Sequence, residues 1–401
     1  MSQKEKTGST IKYKLLYTAL ILLLYLLGRE IPLYGIDTSA YIDKTINAEE
    51  LLMQTIGGDA YRYSLFALGI SPYMIYSIFM SIYVAYKKAS TKERISPKKL
   101  SVLTIAATFI LAVLQALIHV RELEFRTTGN LLVVSQIMTV IQMVTGVMII
   151  IWLAERNIKY GIGGQTALIY VNIIDSILST MKEHSWEQLA LPLLVSFVVL
   201  IVVVAMETGE LQIGVQRISI HNIYADKNYL AIKLNPIGIM PVMFSTAFFM
   251  LPQLLIVLLA YLFPGQSEIL WLQDNMVLTK PLGIGVYIGI IYLLTIGFSF
   301  IFINPGDLTE QFLKSGDSLV NVHSGRDTKR YLSGKLWKIS LLSATIMGIC
   351  VGVPLTLQYM GDLDSTLVML PSSVMMMTGM WCNLYQEVRA VKSFDAYQMF
   401  I

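Results

Sequence analysis

The chain is predicted to be an all-α polytopic membrane protein with ten transmembrane helices. Three observations carry that reading. Of its 401 residues, 55% are hydrophobic and 14% charged, and the mean hydropathy is +0.62. A soluble domain with so few charges could not cover its surface. Apolar runs of about 20 residues, long enough to cross the hydrocarbon core of a bilayer, recur along the sequence. The basic residues fall unevenly on alternate connections between those runs. Backbone groups in lipid must bond within their own segment, so the runs are expected to be helices.

The ten runs lie at approximately 11–27, 65–86, 100–120, 131–154, 163–180, 189–206, 236–263, 282–303, 336–359 and 366–386. The first is expected to be a retained span. Gly28, Arg29 and Glu30 follow it without the small-x-small pattern of a signal cleavage site. With the amino terminus inside, 23 lysines and arginines sit on the cytoplasmic side. Seven sit opposite: Arg29, Lys44, Arg62, Arg121, Arg126, Lys182 and Lys280. That bias places both termini in the cytoplasm of a multi-pass cell-membrane protein.

Two cytoplasmic loops, 207–234 and 304–335, are longer than a connection requires. The second mixes Asp307, Glu310, Lys314, Asp317, Arg326, Asp327, Lys329 and Arg330. It reads either as a solvated loop or as a docking surface. The external stretch 28–64 contains Gly57-Gly58 and leads straight into the second span. A re-entrant piece fits there, because irregular backbone at membrane depth survives only when buried in protein or lining a cavity. No tandem repeat is visible.

Most chemistry is absent. The glycine cluster Gly161-Ile162-Gly163-Gly164 lacks the lysine of a nucleotide-binding loop and reads as a flexible lead into the fifth span. His119, His184, His221 and His323 are dispersed without metal-ligand spacing. Cys350 and Cys382 lie in apolar runs, as small packing residues would. Inside the spans, Asp175 with Asn172 beside it is the main ionisable exception. A coupled transporter places several such groups at membrane depth. One Asp near a helix end is more simply an interhelical contact. The chain is expected to have no catalytic activity and no cofactor, and to act as a passive conduit driven by something else. A secondary transporter of small solutes or lipid-linked sugars, and a membrane-embedded transferase, are the rival readings; neither has the convergent polar residues it needs.

Four separated stretches carry a resemblance. They are Gly28-Arg29-Glu30-Ile31-Pro32-Leu33-Tyr34-Gly35-Ile36, Ser64 to Tyr73, Leu234-Asn235-Pro236-Ile237-Gly238-Ile239-Met240-Pro241-Val242-Met243-Phe244, and Asn304-Pro305-Gly306-Asp307-Leu308 through Lys314-Ser315-Gly316. In that order and spacing they resemble the SecY family, the channel subunit of the bacterial Sec translocon. The resemblance implies two pseudo-symmetric inverted halves, 1–180 and 181–401, with a re-entrant plug at about 48–62. Some features depart from the main pattern. Tyr34 stands where proline is usual, His323-Ser324-Gly325 replaces an arginine before Pro-Gly, loop 207–234 is short, and 21 methionines are present. These features resemble the accessory branch of the family in Gram-positive bacteria, which exports serine-rich glycosylated adhesins. A housekeeping channel is the alternative within the family.

Carried over by motif, the resemblance implies a pore ring of Ile70, Met74, Tyr170, Met243 and Met369. Such a collar stops ions by offering no replacement for their hydration shell. It also implies that Gly57 and Gly58 belong to the plug and Gln115 to the lateral gate. Arg217, His323, Arg326, Lys329 and Arg330 would lie on loops that dock a SecA-type motor ATPase. The other implied partners are small SecE-like subunits, accessory Sec proteins, the secreted polypeptide and membrane lipid, with no nucleic acid. Three ring positions are methionine where the family usually has isoleucine. Unbranched thioethers conform to irregular shapes better than β-branched side chains. Either the ring is a softer gasket for bulky substrates, or methionine simply fills core volume. The gasket reading expects Met74→Ile, Met243→Ile and Met369→Ile together to change ion leak or adhesin export. Unchanged values of both would remove it.

Overall fold

A computed structural model of the chain describes residues 3–37, 63–91, 96–126, 129–216, 228–263, 266–361 and 365–397. Its helices are α1 (Gln3–Arg29), α2 (Ser71–Thr91), α3 (Pro97–His119), α4 (Asn130–Tyr160), α5 (Thr166–Glu183) and α6 (Trp186–Thr208). These are followed by α7 (Met240–Leu262), α8 (Ser267–Asn275), α9 (Pro281–Phe302), α10 (Pro305–Ser315), α11 (Arg326–Met360) and α12 (Ser365–Tyr397). Each predicted run falls on a helix of 18 residues or more. Seven stretches among the described residues, in α1, α3, α4, α6, α9, α11 and α12, are long and apolar enough to cross a membrane. The protein is an all-α, multi-pass membrane fold.

Helix boundaries depart from the apolar runs where local chemistry intervenes. The second run begins at 65, yet α2 starts only at Ser71. Residues 64–70 form turns instead, with Ala67 N–H on the Ser64 carbonyl (3.0 Å) and Gly69 N–H on the Phe66 carbonyl (2.7 Å). Gly69 has φ +55°, which a side chain would oppose, and Pro72 suits a helix's first turn, where its missing N–H costs no bond. At the other extreme, α11 begins ten residues before its run. Thr328, Leu332, Leu336 and Ile339 are buried at helical spacing, so an amphipathic turn extends the helix beyond its apolar part. The short helix α10 is bounded by its own sequence. The Asn304 side chain accepts from Gly306 N–H (3.0 Å), Pro305 opens the first turn, and Gly316 closes it at φ +75°.

Residues Met1–Leu189, Ser365–Ser373 and Met380–Ile401 form one compact unit, and Ala190–Asp364 with Val374–Gly379 form a second. The first unit has a core of Leu33, Ala67, Leu68, Ala112, Met143 and Val147, among others. The lead into α5 is tied down rather than flexible. Asn157 Nδ2 donates to the carbonyls of Ile162 (3.1 Å) and Gly164 (2.7 Å), Ile162 N–H reaches Thr18 Oγ1 (2.8 Å), and Gly163 N–H reaches Glu387 Oε2 (3.0 Å). A Cβ at Gly161 would collide with the Asn157 side chain, so glycine here admits a close approach.

In the second unit α9 lies against α11, where Gly348 and Gly352 make room for Tyr292 and Ile288. Small residues of this kind let membrane helices approach closely. Between α7 and α9, Phe249 meets Tyr287 edge-on at 5.6 Å and Phe244 meets Phe298 at 5.8 Å. A polar pin joins three segments. Glu207, 1% exposed at the end of α6, accepts from Asn235 Nδ2 (2.8 Å), and Asn235 Oδ1 accepts from Ser343 Oγ of α11 (3.0 Å). Asn235 bonds both Glu207 and Ser343, so its removal breaks two buried hydrogen bonds where removal of the Ser343 hydroxyl breaks one. Asn235→Ala is therefore expected to cost about 2 kcal/mol and Ser343→Ala about 1 kcal/mol. Thermal unfolding of the detergent-solubilised protein checks the order, and equal shifts would contradict it.

Candidate functional site

Four of the five expected ring residues are buried, at 2% exposure for Ile70 and 3% for Met74, Met243 and Met369. Ile70 closes the turn that precedes α2, and its carbonyl accepts from Met74 N–H at 3.1 Å. Met243 lies in the first turn of α7, three residues after Met240. Tyr170 is half-buried on α5, with its ring 6.4 Å from that of Trp381. Ile70, Met74, Tyr170 and Met369 belong to the first unit and Met243 to the second. Gly57 and Gly58 lie outside the described residues, as does Arg217.

The chain on either side of residues 38–62 is firmly held. Pro32 and Ser64 form an isolated antiparallel bridge, with Leu33 N–H on the Tyr63 carbonyl and Leu65 N–H on the Ile31 carbonyl, both at 2.8 Å. A second bridge pairs Ile36 with Phe125, and Asp37 meets Arg126 at 3.2 Å. Next to this clasp in sequence stands a polar and aromatic cluster. Arg29, 3% exposed, pairs with Asp175 at 2.8 Å and lies 5.9 Å from the Tyr25 ring centroid. Tyr25 donates to Asn172 Oδ1 (2.9 Å) and stacks on Phe66 at 5.6 Å and 7°. Gly28 makes the stack feasible, since a Cβ there would collide with the Phe66 ring. Asp175 is thus an interhelical contact, as its isolation in the sequence implies. Its partner Arg29 is 146 residues away and could not be named from spacing.

Gln115 on α3 accepts from Ser71 Oγ at 3.4 Å, a long hydrogen bond to the first residue of α2. That contact joins the second and third long helices.

The two long loops hold the element that sequence reasoning missed. Strands β1 (Glu210–Gln216), β2 (Tyr229–Lys233) and β3 (Ser318–Leu319) form one antiparallel sheet in the order β2-β1-β3. Glu210 pairs with Lys233 and Gly214 with Tyr229, while Val215 pairs with Leu319 and Gln216 with Ser318. The loops are therefore one platform. Ile213, Ile232 and Leu319 pack on Leu332 and Ile339 of α11. The alternation Leu211, Ile213, Val215 in the sequence was the available signal, since period two marks a half-buried strand.

The tip beyond β3 is defined by backbone chemistry. Asn321 has φ +61°, a left-handed conformation that asparagine tolerates. The His323 carbonyl accepts from Thr328 Oγ1 (2.8 Å), and Gly325 at φ +95° leads into α11. His323, Arg326, Lys329 and Arg330 are all exposed on this tip and the first turns of α11. The structure thus brings these four together on one rigid surface, with Lys329 Cε 3.8 Å from where a Cβ on Gly306 would stand.

A sequence model of the SecY family, described as SecY, matches residues 64–384. The chain is 29% identical to the accessory Sec system protein translocase subunit SecY2 of Leuconostoc gelidum subsp. gasicomitatum, over 96% of this chain and 95% of that protein. It is 28% identical to the subunit of the same name from Streptococcus agalactiae, over 96% and 94%. Among solved structures it resembles a protein-conducting channel with a TM-score of 0.68 at 18% identity, over 98% of this chain and 95% of that one. The last likeness is one of fold; the family match spans most of the sequence, and the chain belongs to the SecY family.

Proposed function

We propose that this chain is the channel subunit of an accessory Sec translocase, passing unfolded polypeptides across the cytoplasmic membrane. The observation that carries the reading is similarity over nearly the whole chain to proteins named SecY2, in a family of translocation pores rather than enzymes. The expected cargo is the serine-rich glycosylated adhesin class, with a housekeeping role as the alternative. In this reading the ten long helices cross the membrane with both termini in the cytoplasm. The asymmetry of basic residues supports that orientation.

The idle pore is closed by a collar of Ile70, Met74, Tyr170, Met243 and Met369. Apolar side chains bind no ion in place of its water, so a narrow greasy constriction can dewet and hold back salt. An extended polypeptide would part such a collar because apolar contacts hold no directional bond to break. The plug at about 48–62, with Gly57 and Gly58, would sit over this collar between the anchored ends at Asp37 and Tyr63. Gln115 would lie near a seam for sideways release into lipid.

Energy comes from outside the chain. The docking surface for a SecA-type ATPase would be the tip beside the three-stranded platform, where Arg326, Lys329 and Arg330 are exposed, together with Arg217, which lies outside the described residues. Such rim charges govern docking rate and salt sensitivity more than folding. His323 occupies the tip position where the family has arginine, which fits a dedicated motor. Small SecE-like subunits and accessory Sec proteins complete the proposed assembly.

Photocrosslinking probes placed at 74 and 243 are expected to capture an export intermediate stalled in the membrane, and probes on lipid-facing positions such as Leu16 and Leu194 are not. Failure of both pore probes would sink the channel reading. The proteins recovered with the solubilised complex separate the two roles. An accessory motor and export factors support the specialised one, whereas general secretory cargo supports the housekeeping one.

A further inference from the structure

We infer that Arg29 and Asp175 are positioning residues for the pore seal, acting as a bracket that fixes the rotation of α5 and the start of α2 relative to α1. The inference rests on the channel reading, because its consequence is read at the proposed ring. It concerns residues that neither line the ring nor belong to the plug.

The geometry is specific. On α5, Asn172 and Asp175 stand about 60° apart on the helix cylinder, whereas Tyr170 stands about 140–160° away from both. The face of α5 that carries the polar pair is turned to α1, where Tyr25 and Arg29 receive it at 2.9 and 2.8 Å. Tyr170 is thereby held on the opposite face, the one a pore-facing side chain needs. The same Tyr25 ring stacks on Phe66, four residues before Ile70 and eight before Met74. One α1 helical turn therefore contacts two of the three segments that supply ring residues from the first unit.

Chemistry explains why the bracket is polar. Apolar helix faces slide and rotate past one another at little cost in lipid, since lipid tails are as apolar as leucine. An ion pair and a directed hydrogen bond do not, because rotation by one residue would pull the half-exposed Asp175 carboxylate away from a guanidinium that is 3% exposed. Arg29 also lies three residues before Pro32, whose bridge to Ser64 ties the two flanks of the 38–62 stretch together. A seal made of greasy side chains has no directional bonds of its own. Its geometry has to be imposed from behind.

The test uses the complete channel complex in lipid vesicles, measuring idle ion leak and motor-driven export in the same preparation. Arg29→Gln and Asp175→Asn are each expected to raise idle leak by at least about fivefold, the effect of a modest shift between closed and open populations. Export per channel should stay within about twofold of the parent. Asp175→Glu, which keeps the carboxylate, and the exchanged pair Arg29→Asp with Asp175→Arg are expected to return leak toward the parental level. A merely structural role would lower thermal stability and export together without rescue by the exchanged pair. Leak unchanged in a folded Asp175→Asn complex would overturn the inference, as would equal leak from Asp175→Glu and Asp175→Asn. If the parental complex itself failed to export, the channel reading would fall; if it exported normally while Asp175→Asn stayed tight, the bracket alone would.

Discussion

A donor or acceptor placed in hydrocarbon has no water to bond, and that constraint organises this molecule at every scale. It makes the long apolar runs helical, because a helix satisfies its own backbone. The same cost attaches to polar groups buried inside the protein, and it explains where the buried polar side chains stand. Arg29 meets Asp175, Tyr25 meets Asn172, Asn157 fastens the turn into α5, and Asn235 joins Glu207 to Ser343. Each of these is a directed joint among helix faces that otherwise pack mainly through apolar side chains. The chain spends its polar residues on holding helices in register and leaves the proposed conduit greasy.

That division of labour suits a pore with contradictory duties. A collar of Ile70, Met74, Tyr170, Met243 and Met369 would have to yield to many side-chain shapes and still close tightly afterwards. Methionine and isoleucine deform without breaking any bond, so opening costs only contact and burial. Rigidity is supplied elsewhere, by the clasp at Pro32–Ser64 and by the loop platform whose strands pack on α11. In the proposed assembly the platform would give an external motor a paired sheet to push against in place of two separate loops.

The spans were legible because hydropathy reports transfer free energy, which is the quantity that decides membrane residence. Their ends were less so: α2 waits for Ser71-Pro72, and α11 runs back to Arg326, both governed by local backbone and amphipathic effects that an average over 20 residues blurs. The isolation of Asp175 announced an interhelical contact, but periodicity reveals a face and never the neighbour on it. The same blindness hid the joining of loops 207–234 and 304–335, since β1 and β3 are about a hundred residues apart and β3 is only two residues long. The Gly161–Gly164 stretch read as flexible because glycine permits mobility; Thr18, Asn157 and Glu387, distant or ordinary in sequence, hold it in place. The ring residues came from motif resemblance rather than from physics, as nothing in a methionine's spacing says that it faces a pore.

In the proposed channel the chain supplies a gated path, and the driving force comes from an external motor. Vesicles containing the purified channel with its small partner subunits, and no membrane potential, test it directly. Unfolded secretory substrate should become protease-protected only when a SecA-type ATPase and ATP are both added. Protection in their absence, or ATP-independent uptake of small solutes by the same vesicles, would contradict the account.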